Sequence, residues 1–157
     1  MDAPTCVRTY KSLAQVERAF RSIKTMDLKV RPIHHHLETR VRSHIFLCML
    51  AYYVEWHMRE VWRELMFADE DQAAKLTRDP VAPALRSDEA IKKVQSHTLD
   101  DGTPVHSFQT LMATLAGIVR NTCRTPGGGA DALTFEIITT PNTTQKRALE
   151  LIGQITM

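Results

Sequence analysis

Cysteine is scarce in this sequence, and the three residues that occur, Cys6, Cys48 and Cys123, are odd in number and far apart. They offer neither a disulfide framework nor the close Cys-x2-Cys spacing of a zinc site, and they fit a reducing cytoplasm. Long apolar runs are missing too. The longest, Ile45 to Val54, is about half of the roughly 20 residues that cross a bilayer, so the sequence predicts no membrane span and no membrane partner. Met1 is followed by Asp-Ala-Pro-Thr-Cys-Val-Arg, without the basic and apolar regions of a secretory signal, which leaves a cytoplasmic location as the expectation. No Gly-x-Ser-x-Gly turn or comparable nucleophile arrangement occurs, and Cys48 sits in the apolar run, where a thiol is inert. Half of the glycines fall together as Gly127-Gly128-Gly129. Without a Lys and a following Ser or Thr they form a flexible turn, not a phosphate loop.

What is present is ordinary in bulk. The 157 residues are 43% apolar and 24% charged, enough for one folded unit with a real core. The net charge of +2 hides an asymmetry, because residues 1–67 carry 11 basic and 7 acidic side chains, whereas residues 68–101 carry 5 and 8. The excess is densest from Arg8 to Arg42, and such a stripe either is a solvated helix face or attracts a polyanion through counterion release.

Apolar side chains at Leu13, Val16, Phe20 and Ile23 predict a helix from Ser12, its candidate N-cap, to about Thr25. Pro32 then favours a short extended connector. Leu37 to Phe67 contains neither Pro nor Gly and predicts one long helix. The middle of that helix is apolar all round, so either a truncated domain or a partner surface is implied, and the isolated chain is expected to associate, a homo-oligomer being one form of this. Residues 68–104 are acidic, broken by Pro80, Pro83 and Gly102, and read as linker-like apart from a helical stretch near Ser87 to Gln95. Val105 to Cys123 predicts a second amphipathic helix, Leu133 to Thr139 a strand, and Pro141-Asn142-Thr143-Thr144 introduces a final helix that runs to about Ile152. The organisation expected is therefore residues 1–67, an acidic segment 68–104, and a C-terminal segment 105–157. The whole is mostly α, with one or two strands towards the C-terminus.

On the first helix Tyr10, Glu17 and Lys24 recur at steps of seven, which return to within about 20° of one another on an α-helix. Arg21 shares that face. A carboxylate flanked by basic groups there suits a metal ion and the phosphates it would act on. The same spacing equally suits a plain Glu17–Arg21 pair at i,i+4, worth about 0.2–0.5 kcal/mol.

The pattern Tyr10-x2-Leu13-x3-Glu17-x6-Lys24 resembles the Tyr-x2-Arg-x3-Glu-x6-Lys signature of a large family of bacterial insertion-sequence transposases. The surrounding Arg8 to Lys24, the segment Arg31-Pro32-Ile33-His34-His35-His36 and the apolar helix after Arg40 are similar to the C-terminal region of that family. The likeness is strong to about residue 67 and weaker around Leu115 to Arg120 and Thr140-Pro141. It implies a remnant of a ribonuclease-H-like α/β core in which two strand aspartates and one helix glutamate hold two Mg²⁺ ions for phosphodiester hydrolysis and strand transfer. By that resemblance Glu17 is the catalytic and metal-binding residue, and Tyr10 and Lys24 contact DNA near the cleaved end; Arg21, on the same helix face, is expected to bind the DNA phosphates beside them. Leu13 replaces the signature arginine.

The two aspartates have no counterpart in the sequence, and one carboxylate does not hold Mg²⁺ tightly. The chain alone is therefore expected to be inactive, with an upstream transposase half or a homologous transposase chain as partner. The alternative is a non-catalytic helical nucleic-acid-binding protein. Consecutive histidines such as His34 to His36 point in alternate directions in an extended segment and are expected to serve as polar loop residues or DNA-backbone contacts, not as a metal site. Trp56, Trp62, Tyr52 and Tyr53 are expected in a packed core.

Overall fold

Asp2 caps the first helix: its side chain accepts the Thr5 N–H at 3.0 Å, and Pro4 occupies the first turn, where a missing N–H costs nothing. In the computed structural model α1 therefore runs Ala3–Arg21, beginning well before Ser12. The Ser12 hydroxyl instead donates to the Thr9 carbonyl at 2.6 Å, an alternative use of a side chain that could otherwise cap. The structure describes residues 2–26, 28–69, 71–83, 85–126 and 133–155, with only the backbone of Thr25, Met26, Gln72, Lys75 and Leu76. The expected turn at Gly127 to Gly129 lies outside the described residues.

The chain is mostly helical, at 57%, with a two-stranded antiparallel sheet near the C-terminus. Its further elements are α2 (Glu38–Val61), α3 (Gln72–Thr77), α4 (Asp88–Ser96), α5 (Phe108–Leu115), β1 (Arg120–Arg124), β2 (Thr134–Ile138) and α6 (Thr143–Gly153). Among the described residues no helix is long and apolar enough to cross a membrane. The chain divides into two compact units, Met1–Glu60 with Asp69–Ser87, and Val61–Ala68 with Asp88–Met157.

In the first unit α1 passes into a π-helical turn, Ser22–Met26. Beyond it the Val30 N–H donates to the Ile23 carbonyl at 3.0 Å, and the Val30 carbonyl lies 3.2 Å from His44 Nε2. The connector is thereby tied to both neighbouring helices, and Val30 is buried. One stripe of α2 turns inward, through Val41, His44, Cys48, Tyr52 and Glu55. The other apolar residues of its middle, among them Phe46, Leu47, Met49 and Leu50, stay exposed.

The second unit holds the core. Trp62, Leu65, Leu111 and Ala148 are fully buried, joined by Met66, Ala90 and Val105. The indole Nε1 of Trp62 donates to the Ala148 carbonyl at 2.9 Å, and its ring lies 5.9 Å from that of Phe108. The long helix therefore stops at Val61, short of the expected Phe67, and a 3-10 turn at Arg63–Leu65 follows. Lys93 Nζ reaches over that turn to the Glu64 carbonyl at 3.0 Å, satisfying a helix-end acceptor.

The predicted helix from Val105 to Cys123 divides. Its helical part is α5, started by a Ser107/Thr110 capping box, and it ends before Gly117, where an added Cβ would stand 3.3 Å from the Thr114 carbonyl. After a turn, the end of the segment from Arg120 becomes β1, which pairs with β2 so that Thr122 faces Glu136 and Cys123 faces Phe135. The segment 68–104 carries α3 and α4, the latter over the stretch near Ser87 to Gln95.

Candidate functional site

The face that carries the signature residues is built by α1 and its π-helical extension. Tyr10 and Glu17 lie two turns apart on one continuous α-helix, so their side chains leave it in nearly the same direction. Both project into solvent. Tyr10 is 74% exposed, and the Glu17 side chain is 71% exposed beside an Arg21 side chain at 63%. Arg21 Nη2 donates to Glu17 Oε1 at 2.8 Å. The apolar residues beside them, Leu13, Val16 and Phe20, are exposed as well, and α1 buries none of its side chains. Glu17 therefore stands beside an apolar stripe that is present but uncovered.

Lys24 stands apart from the simple picture. It lies in the π-helical turn, whose i→i+5 hydrogen bonds take up more residues per turn than an α-helix. Lys24 consequently lags behind the register that seven α-helical steps from Glu17 would give it. The chain then leaves the helix through the Leu28 N–H, which donates to the Ser22 carbonyl at 3.2 Å. Tyr10, Glu17 and Arg21 thus share a face, and Lys24 lies at its edge, exposed.

Chemically, this face presents one carboxylate partly neutralised by a guanidinium, among further cations. Magnesium takes six oxygen ligands in octahedral geometry, and a two-metal site needs several carboxylates. Glu17, paired with Arg21, does not meet that requirement from the residues of this chain. Among the described residues no group of three or more His, Cys, Asp or Glu side chains is placed to hold a metal. What the face can do unaided is bind anions electrostatically, a function that weakens with salt.

The three consecutive histidines do not converge. His35 packs its ring edge-on to His44 at 5.7 Å between centroids, and His34 and His36 are exposed. His44 Nε2 also lies 4.0 Å from Cys48 Sγ, so His35, His44 and Cys48 form a small polar and sulfur cluster that the sequence pattern alone did not assemble. Its signal was the four-residue step from His44 to Cys48, which places both on one helix face. The expectation for the aromatic residues splits: Trp62 is fully buried and Tyr52 half-buried, whereas Tyr53 and Trp56 are about half exposed. Tyr53 and Trp56 line an apolar groove with Ile23, Met49 and Tyr52. No known protein family, no characterised protein and no solved structure matches this chain.

Proposed function

We propose that the chain is the C-terminal part of a transposase of the type that uses two aspartates and a glutamate, contributing the helix that bears the glutamate to a ribonuclease-H-like core. In this reading Glu17 is the acidic residue of the active site. Tyr10, Arg21 and Lys24 contact the DNA of the transposon end. The single observation that supports it is the signature spacing of Tyr10, Glu17 and Lys24, with Glu17 presented on an exposed face of α1 among basic residues. The exposed apolar stripe of Leu13, Val16 and Phe20 also fits a helix that completes its packing only against another part of the core.

Because this chain's own residues do not fit a two-metal site, no catalytic step is assigned to it alone. Its part is to carry and orient one carboxylate and to grip DNA phosphates. The test supplies the strand-bearing, aspartate-containing half of a transposase of this family in trans, and assays strand transfer of a labelled transposon end. Activity with the wild-type chain and its loss in Glu17→Gln, at unchanged DNA binding, is the expected result. Full activity of Glu17→Gln overturns the catalytic assignment.

The basic stripe favours a second reading, a helical nucleic-acid-binding protein without catalysis. There, Glu17→Gln leaves function intact, while Arg21→Ala and Lys24→Ala weaken binding. Each also lowers the steepness of the salt dependence by about one unit for every phosphate that the variant no longer neutralises.

A further inference from the structure

We infer that His44 is the positioning residue for Lys24: acting through Val30, it holds the peptide group that carries Lys24 and so fixes where that ammonium group meets a DNA phosphate. The inference rests on the proposed reading, in which Lys24 contacts DNA. It gives a role to the cluster of His35, His44 and Cys48, which that reading leaves unused.

Two hydrogen bonds make the link. His44 Nε2 lies 3.2 Å from the Val30 carbonyl. A carbonyl only accepts, so that nitrogen carries the proton and donates. The Val30 N–H in turn donates to the Ile23 carbonyl at 3.0 Å. The Ile23 carbonyl and the Lys24 N–H belong to one planar peptide group. A continuous path of hydrogen bonds and backbone therefore runs from α2 to the backbone of Lys24. Val30 is buried, which strengthens both bonds against competition from water.

The local backbone needs such a hold. Lys24 lies in the π-helical turn Ser22–Met26, a rare form that occurs mostly as isolated turns and often at functional sites. Lys29, just before Val30, has a φ of 45°, a left-handed conformation that is costly for any residue with a side chain. Features of this kind persist where the surrounding structure over-determines them. The Leu28 N–H closes the reversal onto the Ser22 carbonyl at 3.2 Å, and the His44 bond ties it to a second helix. His44 is itself confined. Its ring meets the His35 ring edge-on at 5.7 Å between centroids, and the Sγ of the buried Cys48 lies 4.0 Å from Nε2. These neighbours keep the imidazole on its carbonyl, as a positioning group requires.

The consequence for binding is entropic. Lysine is a long, flexible cation that loses rotamer freedom when it grips a phosphate. With its backbone fixed, only the side chain remains to be ordered, whereas a loosened turn adds backbone entropy to the cost of binding. His44 thus contributes to DNA affinity without touching DNA. Its loss weakens the Lys24 contact and leaves contacts from the regular part of α1, such as that of Arg21, as they are.

The test is a double-mutant cycle on the full chain, with affinity for a short fluorescein-labelled DNA duplex read by anisotropy at fixed salt. His44→Leu keeps bulk but removes the donor, and should weaken binding roughly two- to tenfold. Lys24→Ala should weaken it at least as much, and the double variant Lys24→Ala/His44→Leu should bind no worse than Lys24→Ala alone. Combined with Arg21→Ala, the effect of His44→Leu should instead multiply in full. His44→Gln should bind as wild type, because its amide nitrogen stands as many bonds from Cα as Nε2 does and donates to the same carbonyl. Circular dichroism should show equal helix content throughout. Wild-type binding by His44→Leu, weak binding by His44→Gln, or full multiplication with Lys24→Ala overturns the positioning role and leaves the DNA contact standing. A His44→Leu chain that loses helix makes His44 merely structural, with the same result. A chain that ignores the duplex, or binds it equally well as Lys24→Ala, overturns the DNA contact and this inference with it.

Discussion

Trp62 and Glu17 are opposite extremes of what a single side chain does in this chain. Trp62 is fully buried, donates its indole N–H to the Ala148 carbonyl and lies against Phe108. Replacing it by Ala removes a large apolar volume and deprives a buried carbonyl of one donor, so Trp62→Ala should cost about 3–5 kcal/mol, read from urea unfolding of the full chain followed by helix signal. Glu17 makes one ion pair between two exposed side chains. Glu17→Gln should change stability by no more than about 0.5 kcal/mol in the same measurement. A larger loss would make Glu17 structural and remove the reason to look for chemistry at it. Acid behaviour is also set residue by residue. The Asp101 carboxyl is held below its usual value of 3.8, first by its hydrogen bond to Thr103 and then by the neighbouring Arg147. A depressed carboxyl contributes stability that is complete above its unfolded value and is lost as pH falls through the lower folded value. Thermal melts should therefore show Asp101→Asn less sensitive than wild type to acidification below 3.8, with the two responding alike towards neutral pH.

Among the elements, the short helices of the second unit depend on their caps. Helix α6 begins at Asn142, whose side chain accepts the Gln145 N–H at 2.8 Å while Gln145 Oε1 accepts the Asn142 N–H at 2.8 Å. Gln145 Nε2 then donates to the Thr114 carbonyl at 2.7 Å, so the cap of α6 also holds the end of α5. Asn142→Ala should cost about 1 kcal/mol or somewhat more, checked by thermal or urea unfolding, whereas Asn142→Ser should recover most of it. Local chemistry of this kind is legible in a sequence: Pro141-Asn142-Thr143-Thr144 announces α6, and the proline-free, glycine-free stretch after Leu37 announces α2. The predicted helix from Val105 to Cys123 failed for a reason equally physical. Its apolar spacing runs on through Ile118 and Val119, but the helix holds only to Leu115, and Arg120 to Arg124 became a strand because Thr134 to Ile138 offers it an antiparallel ladder. Nothing within that segment itself announces a pairing partner further along the chain.

For the molecule as a whole, the two units differ in how much they bury. The fully buried large side chains, Trp62, Leu65 and Leu111, all belong to the second unit, and α1 of the first buries none. Hydrogen exchange should accordingly show the amides of α5 and α6 strongly protected and those of α1 exchanging early. Equal protection of α1 would mean that its apolar stripe is covered in solution. The sequence by itself determined the helical character, the course of the long apolar helix and the spacing of Tyr10, Glu17, Arg21 and Lys24, because these follow from periodicity and proline and glycine placement within a few turns. Tertiary structure alone decided which apolar stripe of each helix is buried, where the long helix gives way to the turn after Trp62, that β1 is a strand, and that Lys24 leaves the register of Glu17. Those outcomes depend on contacts between residues distant in sequence, and a stripe of apolar side chains records only that a partner is needed, not which one arrives.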